Sequence, residues 1–437
     1  MRCEEDSTHS AESVIMAAMP TILLFSYLFT LLAGYLLRGL NLGHLKRHGN
    51  SVPAGFEQAV DAATLQKTSA YTLAQSRLGL VESLVDSALL LIFVFAGLLP
   101  VYDRWIGGLT DSPVIGGVLF FLCLLLAKTL IDIPFSLYRN FHIEKEYGFN
   151  TQTLGLWAGD LVKGVLISVL LLGLLLGGGL WLVSVSPTGW WFWGWLLFVL
   201  FTLFLMFISP YVIEPIFFRF EPVKKEGLEE AVRALMERAS LSAGKVYQVD
   251  ASRRSRHSNA YFTGIGRVKR IVLFDTLLEQ LETGEVLAIL AHEVGHWKKR
   301  HIFKRLVKTE LLALGVFYLA YRLIEWDGLP ALFGLEQTSF AAQWVLLSFL
   351  GRLAAFPFTP LGSWLSRRDE WQADRYACEL HDTPGDLASG LVKLSRDNLA
   401  NLHPHPWYAA FYFSHPPVVQ RVQQLRTCAV RSGDLPP

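Results

Sequence analysis

Two histidines and a glutamate in the middle of the chain have the spacing of a metal site. His292 and His296 are four residues apart, and Glu293 directly follows the first of them. On an α-helix, residues at this spacing lie one turn apart and point the same way, so two imidazoles can bind one metal ion. The sequence therefore predicts that His292 and His296 are metal ligands with Glu293 beside them.

The surrounding segment, 285–301, has the signals of a single helix. Alanine and leucine favour helix along its first half, and Thr283 can cap its N-terminus. Its basic residues lie where the negative end of the helix dipole would be; they are Lys298, Lys299 and Arg300. We therefore expect one continuous helix that includes His301.

A third ligand is expected from the segment 366–377, which also has a helical pattern. Glu370 and Asp374 are one turn apart, so one carboxylate can bind the metal while the other orients a ligand imidazole. Asp369 and His301 are the alternatives for the third ligand. The alternative for the whole segment is a solvated charged helix.

His292, Glu293 and His296 form the His-Glu-x-x-His pattern of zinc peptidases, and Glu370 would complete the ligand set. Two histidines and one glutamate leave the fourth zinc position for a water molecule, whose pKa the metal lowers to about 7. Glu293, which is not a ligand, can take the proton of this water and deliver it to the leaving amine. The pattern predicts a zinc metalloendopeptidase with one zinc ion per chain.

The composition of the chain is that of a membrane protein. Its 437 residues are 52% hydrophobic and include 13 Trp and 29 Phe, which is more apolar than an average soluble domain. The net charge of +1 gives no case for nucleic-acid binding, and the four scattered cysteines form no metal or redox motif. Seven runs are long enough to cross a bilayer; they are 14–37, 78–99, 114–138, 154–185, 190–208, 309–324 and 340–361.

The charges of the connections predict the orientation. Lys and Arg are concentrated between the first and second runs and between the third and fourth, so these connections face the cytoplasm and the N-terminus is outside. The expected units are spans one to five (14–209), a cytoplasmic metalloprotease domain (210–308), spans six and seven (309–365) and a cytoplasmic C-terminal part that completes the zinc site (366–430).

Three of the spans carry ionisable pairs on one helix face. A charge that faces lipid costs about 3 kcal/mol or more, so these pairs should face inward. Pairing between spans and a water-filled interior both agree with the pattern. The pairs are Glu82 with Asp86, Lys128 with Asp132, and Asp160 with Lys163.

The segment 210–308 has the patterning of a soluble domain. Its expected elements are an amphipathic helix, a strand and a pair of strands around Gly264-Ile265-Gly266. The strand pair leads directly into the metal helix, where a strand edge could pair with an extended substrate. The helix is 227–239, the first strand 245–249 and the strand pair 260–263 with 268–274.

Motifs outside the metal site give the chain a resemblance to the integral-membrane CAAX prenyl proteases. These motifs are 144–150 (EKEYGFN), 210–222 and 257–264 (HSNAYFTG). The resemblance implies a mainly α, polytopic membrane protein whose seven transmembrane helices enclose a hydrated chamber. It also implies a gluzincin-type α+β metalloprotease domain on the cytoplasmic side.

The same resemblance implies roles for individual residues. His292, His296 and Glu370 match the zinc ligands, Glu293 matches the catalytic base, and Asn259 matches a contact to the substrate backbone. Two further residues match positions that steady the oxyanion or the carboxylates of the metal site. They are His415, in the sequence Ser-His-Pro-Pro, and Arg421.

The resemblance implies a peptide or protein substrate, isoprenylated at a C-terminal Cys in the family, and membrane lipid as the surroundings. The expected location is the cytoplasmic membrane of a bacterium or the endoplasmic reticulum of a eukaryote. The final residues, DLPP, are neither a prenylation box nor a retrieval signal, which favours the bacterial membrane. The alternatives are a quality-control zinc protease of the heat-shock type, which has fewer spans, and a transporter or receptor with structural His and Glu.

Overall fold

Long helices form the first half of the chain. The computed structural model describes residues 2–263, 268–381 and 383–432. π-helical turns follow α4 and α6, over Arg139–Glu144 and Ser209–Ile213. The helices are α1 (Arg2–His48), α2 (Ala62–Phe95), α3 (Leu98–Gly107), α4 (Pro113–Tyr138), α5 (Leu154–Val185), α6 (Trp190–Ile208) and α7 (Glu214–Phe217).

A small mixed sheet with helices packed on it forms the middle of the chain. Its helices are α8 (Leu228–Arg238), α9 (Asp275–Gln280) and α10 (Thr283–Lys298), and its strands are β1 (Phe220–Pro222), β2 (Ser242–Val249), β3 (Ala260–Thr263) and β4 (Val268–Phe274). The strand order is β1-β2-β4-β3, with β2 and β4 parallel and the other pairs antiparallel. The predicted strand pair is confirmed and β3 is at the edge of the sheet, whereas the expected turn at 264–266 lies outside the described residues.

The rest of the chain is helical. Its helices are α11 (His301–Glu325), α12 (Phe340–Ala355), α13 (Thr359–Leu380), α14 (Pro384–Asp397), α15 (Pro406–Tyr412) and α16 (Val418–Ser432). Only a 3-10 turn, Phe356–Phe358, separates α12 from α13. The two therefore act as one long helical segment.

Six helical segments in the described part of the chain are long and apolar enough to cross a membrane. They contain α1, α2, α4, α5, α6 and the joined α12 and α13, and they overlap six of the seven predicted runs. The second run, predicted as 78–99, ends at Phe95, and its last residues belong to α3. Their outer surfaces carry exposed apolar side chains, such as Leu166, Leu170 and Leu174 of α5, each more than 60% exposed. Such a stripe is stable against lipid and unfavourable against water. The sixth predicted run, 309–324, lies in α11, which is not among these segments.

Two helix boundaries differ from the sequence prediction. The metal helix α10 ends at Lys298, because Arg300 has a left-handed backbone (φ 57°) and His301 begins α11. Its cap is Glu282 and not Thr283, since Glu282 and Glu285 form a reciprocal capping box. The segment 366–377 is also not a separate helix, because it continues the last membrane segment within α13.

A compact apolar core holds the metal helix against the sheet. One face of α8 is fully buried, with Val232, Leu235 and Met236 at most 1% exposed, and it packs with Ile271 of β4 and Leu290 of α10. Burying such side chains contributes about 1.5–3 kcal/mol each. This core fixes α10 from one side, and α13 fixes it from the other.

Candidate active site

The three predicted metal ligands come together between α10 and α13. The Nε2 atoms of His292 and His296 are 3.2 Å apart. The carboxylate of Glu370 reaches both of them, with Oε2 3.3 Å from His292 Nε2 and Oε1 3.4 Å from His296 Nε2. The structure thus places two imidazole nitrogens and the two oxygens of one carboxylate around one point.

These separations fit a tetrahedral zinc ion. Zinc–nitrogen and zinc–oxygen bonds of about 2.0–2.2 Å in a tetrahedron place neighbouring donor atoms about 3.3–3.5 Å apart. Oε2 of Glu370 is also buried and has no hydrogen-bond partner among the described residues. A buried carboxylate oxygen without a donor is unfavourable unless a cation compensates it. The donor set and its spacing therefore suit zinc.

A glycine permits the close approach of the two helices. A Cβ atom built on Gly295 would lie 2.9 Å from the Cα and 3.0 Å from the carbonyl oxygen of Ala373. Carbon atoms approach one another favourably only to about 3.5–4.0 Å. Gly295 lies between the two histidines, and Ala373 is three residues beyond Glu370. The contact therefore brings the third ligand within reach of the first two.

Asp374 and Arg421 position His292 through its Nδ1 side, opposite the nitrogen that faces the cluster. Oδ1 of Asp374 is 2.8 Å from His292 Nδ1, which leaves Nε2 for the metal. Arg421 donates two hydrogen bonds to Asp374, from Nε at 2.8 Å and from Nη2 at 2.6 Å. Burial disfavours a charge on His292, yet the carboxylates of Asp374 and Glu370 raise its pKa to about 9. The pocket therefore favours a positive charge at this position.

His296 is positioned from its other nitrogen by His301. The two Nδ1 atoms are 3.1 Å apart, and His301 Nε2 is 3.2 Å from Oε1 of Gln372. Asp369 is 3.8 Å from His301 Nε2. His301 and Asp369, the alternative ligands, therefore lie behind His296, and the three-atom cluster forms without them. Sequence analysis missed Gln372, whose only signal is its position on the same helix two residues after Glu370.

Glu293 lies beside the cluster with its carboxylate available. Within the described ranges its carboxylate accepts no hydrogen bond, and its side chain is partly buried. Burial raises the pKa of Glu293, and the adjacent histidines oppose this effect. A carboxylate in this position can accept a proton from a water molecule at the metal position.

His415 approaches the cluster from the C-terminal part. Its Nε2 is 3.4 Å from Oε1 of Glu370, and its Nδ1 is 3.0 Å from the hydroxyl oxygen of Ser414. The side chain is 63% exposed, so it borders the open side of the site. The structure places it where a donor could face a substrate.

Asn259 lies at the start of the edge strand β3. Its carbonyl oxygen accepts a hydrogen bond from Phe274 N, and its side-chain oxygen accepts one from Ala260 N at 2.8 Å. Both bonds fix the residue at the end of the sheet. Its role toward a substrate stays a prediction.

A half-buried network anchors this strand to the membrane helices, and sequence analysis assigned it no role. The ring of His257 stacks on Phe149 at 4.1 Å, and its Nε2 is 3.1 Å from Oε2 of Glu144. His257 Nδ1 is 2.8 Å from Asn398, and Tyr71 donates to Glu144 at 2.7 Å. Two of the motifs that carried the resemblance, 144–150 and 257–264, thus meet in space.

The ionisable residues of the spans pair with one another. Lys128 contacts Asp132 on its own helix and is 3.1 Å from Asp86 of α2, and Arg139 pairs with Glu82. These residues line a polar cavity among the helices. Asp160 pairs with Lys163 at 3.5 Å and with Arg254 of the sheet domain at 2.8 Å. The charges are therefore turned inward, as predicted.

Family models and known proteins agree with this geometry. Residues 41–219 match the family described as CAAX prenyl protease N-terminal, five membrane helices, and residues 222–429 match peptidase family M48. The "CAAX prenyl protease 1 homolog" of Oryza sativa subsp. japonica is 31% identical over 404 residues, covering 86% of this chain and 90% of that protein. The "CAAX prenyl protease 1" of Saccharomyces cerevisiae is 31% identical over 401 residues, covering 86% and 88%.

Two further proteins extend the comparison. The "Uncharacterized metalloprotease YhfN" of Bacillus subtilis is 31% identical over 373 residues, covering 85% of this chain and 87% of that protein. The crystal structure of S. mikatae Ste24p superposes with a TM-score of 0.83 at 28% identity, covering 92% of this chain and 97% of that one. The five-helix N-terminal family and the peptidase family together favour the predicted enzyme over the heat-shock-type and transporter alternatives. The chain is an integral membrane metalloendopeptidase and belongs to the CAAX prenyl protease family.

Proposed function

We propose that the enzyme hydrolyses peptide bonds with one zinc ion held by His292, His296 and Glu370. The observation that carries this proposal is the cluster of their donor atoms. The two Nε2 atoms are 3.2 Å apart, and each lies 3.3–3.4 Å from one of the two Glu370 oxygens. Asp374 and Arg421 would hold His292 in the orientation and tautomer that the metal needs. Their removal would weaken the metal site without removing a ligand.

Glu293 is the general base in this proposal. When bound, zinc supplies a Lewis acid that lowers the pKa of a water molecule and polarises the substrate carbonyl. Glu293 accepts the proton of the attacking water on its free carboxylate and passes it to the leaving nitrogen. His415, on the open side of the site, and Arg421 behind it supply positive or hydrogen-bonding groups as negative charge develops on the carbonyl oxygen.

The substrate would lie extended along the edge strand β3, beginning near Asn259. Two facts support this placement: β3 has a neighbour on one side only within the described sheet, and it leads through β4 and α9 into α10. Backbone pairing tolerates side-chain changes but requires free substrate amides. N-methylation of the amides next to the scissile bond should therefore abolish cleavage. Equal cleavage of methylated and unmethylated peptides would contradict this binding mode.

The substrate class follows from the family. Relatives named CAAX prenyl protease suggest a peptide or protein cleaved near a C-terminal Cys, in prenylated form. The membrane position of the enzyme agrees with such a substrate, because a prenyl chain partitions into lipid. Comparing matched peptides with and without a farnesyl group tests this class, and a faster reaction of the unmodified peptide would contradict it.

We further propose seven spans, with α11 as the sixth. Leu311, Leu312 and Leu319 are each more than 55% exposed on its surface, while Trp195 of the membrane helix α6 donates to the carbonyl oxygen of Glu310. An exposed apolar face beside a membrane helix fits lipid contact. We also propose the domain limits expected from the sequence. In this arrangement the active site is on the cytoplasmic side and the N-terminus is outside.

The metal assignment is tested by zinc analysis of purified variants. Wild type should hold one zinc per chain, and His296→Ala and Glu370→Ala should lose it, because a three-ligand site cannot spare one ligand. Asp369→Ala is a control on the same helix and should keep zinc. Full zinc occupancy in Glu370→Ala would remove that residue from the proposed site.

A further inference from the structure

A polar cavity among the membrane helices contains two arginines. It has a volume of about 360 Å³ and receives Arg38 from α1 and Arg352 from α12. Both helices belong to segments apolar enough to cross a membrane. Tyr35, Tyr408 and Tyr412 also line the cavity, and none of its lining residues is acidic. The cavity therefore has positive charge and hydroxyl groups but no carboxylate.

Neither arginine has a counterion in the described part of the chain. No ion pair within the described ranges includes Arg38 or Arg352. Nη1 of Arg38 is buried without a hydrogen-bond partner, and the guanidinium of Arg352 faces the ring of Tyr27 at 5.6 Å. A charged group within a membrane span costs about 2.5–3.5 kcal/mol or more and commonly marks a binding function. Two uncompensated guanidiniums point to an anionic ligand.

Nearby carboxylates do not contact these arginines, because each is paired with another cation and two of the three share one lysine. A second polar cavity adjoins the first and shares Ser83 and Arg352 with it. Its acidic residues form ion pairs there, and Arg352 takes no part in them. The pairs join Asp86 and Asp132 to Lys128, and Glu82 to Arg139.

The arginine cavity is connected to the active site through α15. This helix carries Tyr408 and Tyr412, and the chain continues from it directly to His415. Arg367 of α13 fixes the end of α15 by donating to the carbonyl oxygens of Ala409 and Phe413 at 3.1 Å and 2.7 Å. The three residues from Tyr412 to His415 span at most about 10 Å, which is also the length of three extended substrate residues.

We propose that Arg38 and Arg352 bind the C-terminal carboxylate of the substrate. This inference rests on the proposed cleavage near a substrate C-terminus. A guanidinium matches a carboxylate in bidentate geometry, and tyrosine hydroxyls can donate further hydrogen bonds. A lipid phosphate has the same acceptor chemistry, but the link through α15 to His415 favours the peptide. The enzyme would thereby select chain ends over internal peptide segments.

Two otherwise identical peptides test the site, one with a free C-terminal carboxylate and one with a C-terminal amide. The readout is the ratio of their kcat/KM values, which does not depend on the fraction of active protein. Wild type should prefer the carboxylate about tenfold or more, the scale of a charge-assisted hydrogen bond. Arg38→Gln and Arg352→Gln should bring the ratio near one, and Arg352→Lys should restore part of it. The control Arg233→Gln, on the exposed face of α8, should keep the full preference.

Several results would overturn the inference. A wild-type ratio near one would contradict the proposed carboxylate site but not the proposed peptidase function. If both glutamine variants kept the full preference for the free carboxylate, Arg38 and Arg352 would not form the carboxylate site. If the variants kept the preference but lost thermal stabilisation by vesicles of phosphatidylglycerol, the cavity would belong to a lipid phosphate. A wild-type protein that cleaves neither peptide would contradict the proposed function and this inference with it.

Discussion

Replacing Gly295 by alanine should open the metal site. The new Cβ would lie 2.9 Å from Ala373 Cα and 3.3 Å from Ala373 Cβ, and both distances are below the roughly 3.5–4.0 Å to which carbon atoms approach favourably. The nearest atoms include the backbone of Ala373, so no side-chain rotation can relieve the contact. The helices α10 and α13 must separate, and Glu370 moves away from both histidines with its helix.

The size of the effect follows from the strain. Adding a methyl group to a close-packed position costs about 1–3 kcal/mol. The zinc-free protein can relax this strain by separating the two helices, whereas zinc draws them together again through bonds of about 2.0–2.2 Å. The strain therefore makes the free energy of zinc binding less favourable, and the zinc Kd should rise about 5- to 150-fold.

Chelator competition on the purified protein measures this change. Gly390→Ala is the matched control, because Gly390 lies in α14, which packs on the same helix α10, and its Cβ would meet Glu285 Cβ at an ordinary 3.5 Å. The control should bind zinc like the wild type. A wild-type zinc Kd in Gly295→Ala would refute the argument that this glycine sets the distance between the ligands.

Two further changes test the groups around the site. Asp374→Asn should weaken zinc binding about 10- to 100-fold, because His292 loses its charged partner; Asp369→Asn on the same helix should not, and equal effects on chelator competition would contradict this. Burial disfavours a charge on His257, but hydrogen bonds with Glu144 and Asn398 raise its pKa above 6.5. Its stabilising effect is therefore full below about pH 6.5 and lost as the pH rises through the raised pKa. Between pH 6 and pH 9 the melting temperature of wild type should fall more than that of His257→Gln, and parallel curves would contradict this role.

Local helix geometry is what made the pairing of the two histidines predictable. His292 and His296 are four residues apart on one helix, so their common direction needs no knowledge of the rest of the fold. The choice of Glu370 over Asp369 and His301 depended on how α10 and α13 pack, which a single helical pattern does not contain. Gly295 carried that information, but only the position of Ala373 reveals it.

The boundaries of the metal helix depended on backbone details. Thr283 and Glu282 are both plausible caps, and the reciprocal bonds between Glu282 and Glu285 decide between them. Arg300 is a good helix former, yet it adopts the left-handed conformation that is usual for glycine and begins a new helix direction. This break places His301 behind His296 instead of further along the same helix.

Contacts between distant parts of the chain were beyond sequence analysis. Arg38 and Arg352 meet in one cavity although more than 300 residues separate them. His257 and Glu144 belong to motifs that were recognised, but neither motif predicts that they touch. Hydropathy located most of the membrane runs, whereas the contacts between helices depend on the tertiary structure.

In the proposed mechanism, Glu293 acts as the general base next to a zinc ion that it does not bind. Glu293→Gln keeps the shape of the side chain and removes its proton acceptor. Zinc content and peptide cleavage, measured on the same purified sample, test the claim directly. We expect this variant to hold one zinc per chain and its turnover to fall about 100-fold or more. Wild-type turnover by the zinc-loaded variant would contradict it.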